Sequence, residues 1–170
     1  MPTLIRWTQK ENGTGAELVE DPFTNVSDDQ GLPPGDVIIS LTRFQADGDW
    51  LLSGCRKVGV RVESHEEVEA LAYDLPRIAV VALVFPKYRD GRAYTGARLL
   101  RERFGYAGQV RAVGEVLREQ GLFMIRCGFD AFEPADGSTA ADWDHIATRF
   151  RHVYQRAADQ RAPAFEERQG

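Results

Sequence analysis

Residues 78–85 read IAVVALVF, and this run of eight apolar residues decides the fold. It is too short to cross a bilayer, and it is rich in the β-branched side chains that strands favour. A run that is apolar at every position predicts a strand covered on both faces, as in the middle of a parallel sheet. The polar segment PKYRDGR, residues 86–92, follows it directly and predicts a loop at the carboxyl end of that strand.

Strands and helices alternate on both sides of this run. The predicted strands cover residues 37–41, 58–62, 78–85, 109–113 and 130–133, and the predicted helices cover residues 43–53, 64–75, 94–104, 115–127 and 139–158. Five such units in a row predict an α/β fold with a parallel sheet. We expect the flavodoxin-like strand order 2-1-3-4-5, which places the apolar strand at the centre. A half (β/α) barrel produces the same local pattern and remains the alternative.

The chain divides into three predicted parts. Residues 1–35 form an N-terminal hairpin, with a turn around Asn12 and Gly13, followed by a loop rich in Asp, Pro and Gly. Residues 36–158 form the α/β domain, and residues 159–170 form a flexible polar tail.

Composition narrows the class of protein. The net charge is −5, but residues 86–126 carry nine basic and four acidic side chains, so this segment is +5 and the remainder is −10. An acidic chain with one basic segment predicts a small anionic ligand and no nucleic-acid partner. The sequence shows no signal peptide and no membrane span, and its two cysteines form no metal or disulfide motif, so we expect a cytoplasmic protein.

Cations cluster where a ligand is expected. In the predicted order, ligands bind between the first and third strands, beside Arg43 and the loop at residues 86–92. Guanidinium groups suit a planar or tetrahedral oxyanion, and hydroxyl groups at the start of the next helix can add donors. The predicted anion site consists of Lys87, Arg89, Arg92, Tyr94, Thr95 and Arg43. The alternative is that these are solvated charges, some of them paired with Asp90 or Glu102.

Two carboxylates are candidates for acid–base chemistry in the same loops, namely Asp90 and Glu115. Glu115 has a simpler interpretation as a first-turn acid that complements the helix dipole. No Rossmann fingerprint, P-loop or nucleophile elbow is present, so the sequence identifies no cofactor, no metal site and no catalytic residue.

Residues 85–134, beginning FPKYRDGR and ending RCGFDAFEP, resemble a bacterial family of uncharacterised proteins, domain of unknown function 934. The resemblance extends back through GVRVES (59–64) and VEALA (68–72). Members are labelled probable oxidoreductases involved in sulfite reduction. The resemblance therefore implies a link to sulfate assimilation, although it supplies no catalytic residue. This chain departs from the family at Ala93, Gly96 and Gly121, where glycine, glutamine and leucine are expected.

Two functions remain open. The first is a component of sulfite reduction, an oxidoreductase or a subunit of one, that binds a sulfur oxyanion or a phosphorylated ligand at the basic loop. The second is a non-catalytic accessory protein that docks on a sulfite reductase through basic side chains and exposed aromatic rings such as Tyr88, Tyr94 and Tyr106.

Overall fold

The computed structural model describes residues 4–10 and 13–168. Its strands are β1 (Leu4–Lys10), β2 (Gly13–Val19), β3 (Phe23–Asn25), β4 (Asp36–Ser40), β5 (Val58–Val62), β6 (Val80–Phe85), β7 (Gln109–Gly114) and β8 (Ala131–Phe132). Its α-helices are α1 (Leu41–Leu52), α2 (Arg92–Arg98), α3 (Gly121–Cys127), α4 (Ala140–Thr148) and α5 (Ala164–Glu167). A π-helical turn, Leu99–Arg103, extends α2, and 3₁₀ turns cover Val68–Leu71, Leu75–Arg77 and Arg118–Gln120. No helix within these residues is long and apolar enough to cross a membrane.

Eight strands of the described residues form one mixed sheet in the order β2-β1-β8-β7-β6-β5-β4-β3. Strands β3 to β8 are parallel and lie side by side in chain order. The hairpin of β1 and β2 joins the same sheet because β1 pairs antiparallel with β8. The N-terminal hairpin prediction is thus confirmed for the two strands, while most of its turn lies outside the described residues.

The apolar run lies in the middle of the sheet as β6, between β5 and β7. On one face Val81, Leu83 and Phe85 join the main core, which also contains apolar side chains from helices α1 to α4. On the other face Val80 and Ala82 pack with Ile38 in a small second cluster that contains no helical residue. The helices therefore cover one face of the sheet, and both faces of β6 are buried.

The sheet is curled around its helix-free face. Arg111 of β7 donates hydrogen bonds of 3.0 and 2.7 Å to the two carboxylate oxygens of Asp21, which lies between β2 and β3. The ring centre of Phe23 in β3 is 5.8 Å from the guanidinium carbon of Arg111. Strands β3 and β7 are four positions apart, about 19 Å in a flat sheet. Only a curled sheet brings them together, so the architecture is a half-barrel with Arg111 on its concave side.

The flavodoxin-like order is wrong, and the half-barrel alternative is confirmed. From β4 to β8, each strand lies beside the strand that precedes it in the chain, always on the same side. The strand order therefore never reverses. A doubly wound sheet would need helices on both faces, but here they contribute only to one. Consequently there is no crevice between the first and third strands of the predicted set, because β5 lies between β4 and β6.

Several segments differ from the predicted elements, and the tail predicted for residues 159–170 contains the short helix α5. The predicted loop before residue 36 contains the short strand β3. The predicted helix at 64–75 is a turn followed by two 3₁₀ segments, and Pro76 lies inside the second of them. The predicted helix at 139–158 ends at Thr148. The apolar side chains predicted to pack beyond that point are largely in solvent, since Phe150 and Tyr154 are 55% and 89% exposed.

Candidate functional site at the carboxyl edge

Four parallel strands, β4 to β7, end at one edge of the half-barrel, which we call the carboxyl edge. In closed (β/α) barrels the loops at this edge carry the active site, because side chains from several strands converge there. In this chain the segment after β5 begins at Glu63, the one after β6 is the basic loop of residues 86–92, and the one after β7 begins at Glu115.

Arg92 in the basic loop is paired within the chain. Its Nε and one terminal nitrogen donate to the two oxygens of Asp90 at 3.0 and 2.6 Å, and its backbone N–H donates to the same carboxylate at 3.2 Å. The guanidinium of Arg92 holds the pKa of Asp90 well below its usual range. Arg92 also donates to Ser64 Oγ at 3.0 Å, which ties the basic loop to the segment after β5.

Arg89 is held differently. Its Nε donates to the hydroxyl of Tyr88 at 2.8 Å, and its guanidinium carbon lies 5.4 Å from the centre of that ring. Arg89 is exposed, and so is Lys87. Neither side chain has a carboxylate partner anywhere in the described part of the chain. The loop therefore presents two unpaired cations beside one that is neutralised.

The backbone of Tyr88 is fixed by the segment that follows β7. Its N–H donates to Glu115 Oε2 at 2.8 Å, and its carbonyl accepts from Gln120 Nε2 at 2.9 Å. Glu115 in turn donates its own N–H to the carbonyl of Phe85 at 2.8 Å. Its carboxylate is thus a structural acceptor at the carboxyl edge, and its predicted acid–base role stays a prediction.

The remaining predicted anion ligands lie around this loop. The ring of Tyr94 packs edge-on against Phe85 at 5.2 Å, and burial raises the pKa of its hydroxyl to about 12, with the nearby thiol of Cys127 acting in the same direction. Thr95 is exposed on α2. Arg43 lies two strands away from β6, on α1 after β4, where it donates to the carbonyl of Ser27 at 2.9 Å.

The aromatic rings predicted for docking are not equally available. Tyr88 is 47% exposed, whereas Tyr94 is half-buried. Tyr106 is buried and donates its hydroxyl to the carbonyl of Ile78 at 3.0 Å, so the expectation that its ring is exposed is wrong. Another exposed ring is that of Phe123, which is 68% exposed and lies in α3, three residues after Gln120.

A buried ionic cluster on the concave side was missed by the sequence analysis. Arg111 is fully buried, and all five of its N–H groups are used: two bonds go to Asp21, two to Gln109 Oε1 and one of 3.0 Å to Glu133. The available signal was the alternation of Val110, Arg111 and Ala112, which places the arginine opposite the helix-covered face. With no free donor, Arg111 is a structural group and not a ligand site.

Acidic and thiol groups do not gather into a metal site in the described part of the chain. Four surface cavities within it have volumes of about 40 to 350 Å³, and none of these four includes a predicted anion ligand in its wall.

The fold and the carboxyl edge define a class: a (β/α) half-barrel that exposes a basic loop after its central strand. The model of one family, described as bacterial proteins of unknown function (DUF934), matches residues 59–165, and the chain belongs to that family. The family resemblance recognised from FPKYRDGR and RCGFDAFEP is thereby confirmed. No curated protein and no solved structure matches the chain.

Proposed function

We propose that this protein binds an anionic group at the carboxyl edge, with Lys87 and Arg89 as its ligands. The observation that supports this most is the contrast within the basic loop: Arg92 is paired with Asp90, whereas Lys87 and Arg89 have no carboxylate partner within residues 4–10 and 13–168. Among the described residues Arg89 bonds only to Tyr88, through its Nε, so both terminal nitrogens remain available for an oxyanion.

Arg92 and Asp90 serve as positioning residues in this proposal. Their pairing, together with the bond from Arg92 to Ser64, holds the loop against the end of β5. The bond that the Tyr88 N–H donates to Glu115 and the bond that the Tyr88 carbonyl accepts from Gln120 hold the loop against the end of β7. A loop fixed at both sides loses little further conformational entropy when a ligand binds.

The ligand class is a sulfur oxyanion or a phosphorylated compound, because guanidinium and ammonium groups suit both. The sulfite-reduction label carried by proteins that this chain resembles makes sulfite the first anion to examine. With sulfite as the ligand, the proposed role of the protein is that of a component of sulfite reduction. The label is also the only reason to include electron transfer in this role.

The test is a thermal-shift titration with sulfite, sulfate and phosphate at constant ionic strength. We expect at least one of these anions to raise the Tm of the unmodified protein, and Arg89→Ala to weaken its affinity by roughly ten- to a hundredfold, as for a charge-assisted hydrogen bond. Lys87→Ala should act in the same direction with a smaller effect.

Arg103→Ala is the matched control, because Arg103 is also exposed and also lies over the ring of a neighbouring residue, Phe104. It should leave the anion response unchanged. If none of the anions raises the Tm of the unmodified protein, or if Arg103→Ala weakens the response as much as Arg89→Ala, the proposal fails.

A second function is supported by one observation, the ring of Tyr88, which is 47% exposed and lies in the same loop as the unpaired cations Lys87 and Arg89, while Phe123 of α3 adds a further exposed ring. Together they suit docking on an acidic protein surface, and in the sulfite-reduction setting that partner is a sulfite reductase. Co-purification of the full chain with such a reductase, without any response to small anions, would favour docking over ligand binding.

A further inference from the structure

The segment after α4, residues 150–168, forms a small unit of its own, which we call the C-terminal clasp. Arg156 Nε donates to Glu166 Oε1 at 3.0 Å, and the N–H of Ala164 donates to the carbonyl of Val153 at 2.8 Å. These bonds join the two halves of the clasp, so it doubles back on itself and ends in α5.

The clasp is attached to the rest of the chain at Arg126, in the last turn of α3. The Arg126 side chain donates to Asp159 Oδ1 at 2.7 Å and to the carbonyl of Gln155, and its own carbonyl accepts the N–H of Ala158 at 3.1 Å. Within the described ranges, 4–10 and 13–168, no other hydrogen bond joins the clasp to the residues before it. The attachment therefore depends on one side chain and the peptide group that carries it.

Apolar packing adds little to this attachment. Neither hydrophobic cluster of the described residues includes a side chain of the clasp, and Phe150, Tyr154 and Phe165 are more exposed than buried. A cavity of about 270 Å³ lies at the boundary, with Phe150 on the clasp side of its wall and Trp7 and Leu122 on the other side. Because folded interiors gain their stability from close packing, a boundary that contains a cavity holds the clasp weakly.

Two local features make the closed clasp costly. Asp159 Oδ2 is buried and has no hydrogen-bond partner among the described residues, although buried carboxylate oxygens are almost always hydrogen-bonded. Gln160 has a φ of +59°, in the left-handed region that is unfavourable for a residue with a side chain. The closed clasp therefore combines few stabilising contacts with two destabilising ones.

We propose that the C-terminal clasp is a conformational device, which detaches from the half-barrel and unfolds as one unit while the sheet and its core stay folded. Its internal ion pairs, Arg156 with Glu166 and His152 with Glu167, lie at the surface, where such pairs contribute little. A detached clasp therefore does not keep its structure. Detachment removes one wall of the cavity, so the state of the clasp controls the access of solvent and partners to the apolar side chains of the opposite wall.

The test is amide hydrogen exchange of the full chain, measured residue by residue by NMR. The N–H of Ala158 reports on the attachment to Arg126, and the N–H of Ala164 reports on the internal fold of the clasp. We expect both to exchange through one opening event. Their opening constants should agree within about threefold and should exceed those of the β6 amides by roughly tenfold or more.

Arg126→Ala should raise both opening constants by about tenfold or more, because it removes two charge-assisted hydrogen bonds of the attachment. The β6 amides should be unchanged. Arg98→Ala is the matched control, because Arg98 also lies in the last turn of a seven-residue helix, α2, and pairs with Glu102 outside the clasp. It should change neither the clasp amides nor the β6 amides.

The proposal is overturned if the opening constants of Ala158 and Ala164 differ by more than about threefold, or if they fail to exceed those of β6 by about tenfold. It is also overturned if Arg126→Ala leaves the clasp amides unchanged or accelerates β6 as much as the clasp, or if Arg98→Ala has the same effect on the clasp. If Arg126→Ala fails to fold, exchange in the unmodified protein still decides between a clasp that opens alone and one that opens only when the whole domain unfolds.

Discussion

At the scale of single residues, the carboxyl edge depends on Gly114, the last residue of β7. It has a φ of +94°, and a Cβ built there would overlap the carbonyl oxygen of Phe85, which accepts the N–H of Glu115. We expect Gly114→Ala to destabilise the fold by on the order of 2 kcal/mol or more, since strain and overlap add. Urea denaturation measures this.

Gly35 offers a control for that substitution with nearly the same backbone conformation. Its φ is +91°, but a Cβ there would meet no atom within 4 Å. Gly35→Ala should therefore cost only the conformational strain, about 1 kcal/mol. If both variants lose the same stability, the overlap with the Phe85 carbonyl adds nothing to the cost of Gly114→Ala.

At the scale of elements, α4 begins with a reciprocal cap. Thr139 Oγ1 accepts the N–H of Asp142 at 3.3 Å, and Asp142 Oδ2 accepts the N–H of Thr139 at 2.8 Å. We expect Thr139→Ala to lower the free energy of unfolding by about 1 kcal/mol. Thr148→Ala, a change of the same chemistry at the other end of α4, should lower it by less than about 0.5 kcal/mol, because Thr148 is exposed there.

The cap also makes the stability of the fold depend on pH. The N–H and hydroxyl of Thr139 hold the pKa of Asp142 below its ordinary value. A lowered folded-state pKa stabilises the fold above the unfolded pKa, and this contribution is lost as the pH falls through the folded pKa. The difference in stability between the unmodified protein and Thr139→Ala should therefore narrow as the pH falls below about 4. A constant difference from pH 7 to pH 3 would contradict this account.

At the scale of the whole molecule, the half-barrel is held in its curled form by the bonds of Arg111 to Asp21. The Asp21 side chain is only 3% exposed, and removing it would leave the buried guanidinium with Glu133 as its remaining carboxylate. We expect Asp21→Ala to destabilise the protein by roughly 3 kcal/mol. The neighbouring change Glu20→Ala, at an exposed residue of the same connection, should cost less than about 0.5 kcal/mol in the same denaturation experiment.

Local patterns were sufficient for much of the fold. The run at 78–85 lies at the centre of the sheet, the hairpin strands are present, and α1 and α3 overlap the helices predicted at 43–53 and 115–127. Such patterns record which side of an element is covered, and that information is present in the order of apolar and polar residues.

What the sequence by itself determined is therefore the α/β class, the central strand, the basic loop at its carboxyl end and the family. The tertiary structure alone decided the order of the strands, since an open sheet and a half-barrel bury the same middle strand and backbone hydrogen bonds do not depend on side-chain identity. It also decided that Arg92 is paired with Asp90 while Arg89 is not, and that Arg111 is buried. Arg111 and Asp21 are 90 positions apart in the chain, a separation that no local periodicity records, and Asp90 has arginines on both sides, so only the conformation of the loop selects its partner.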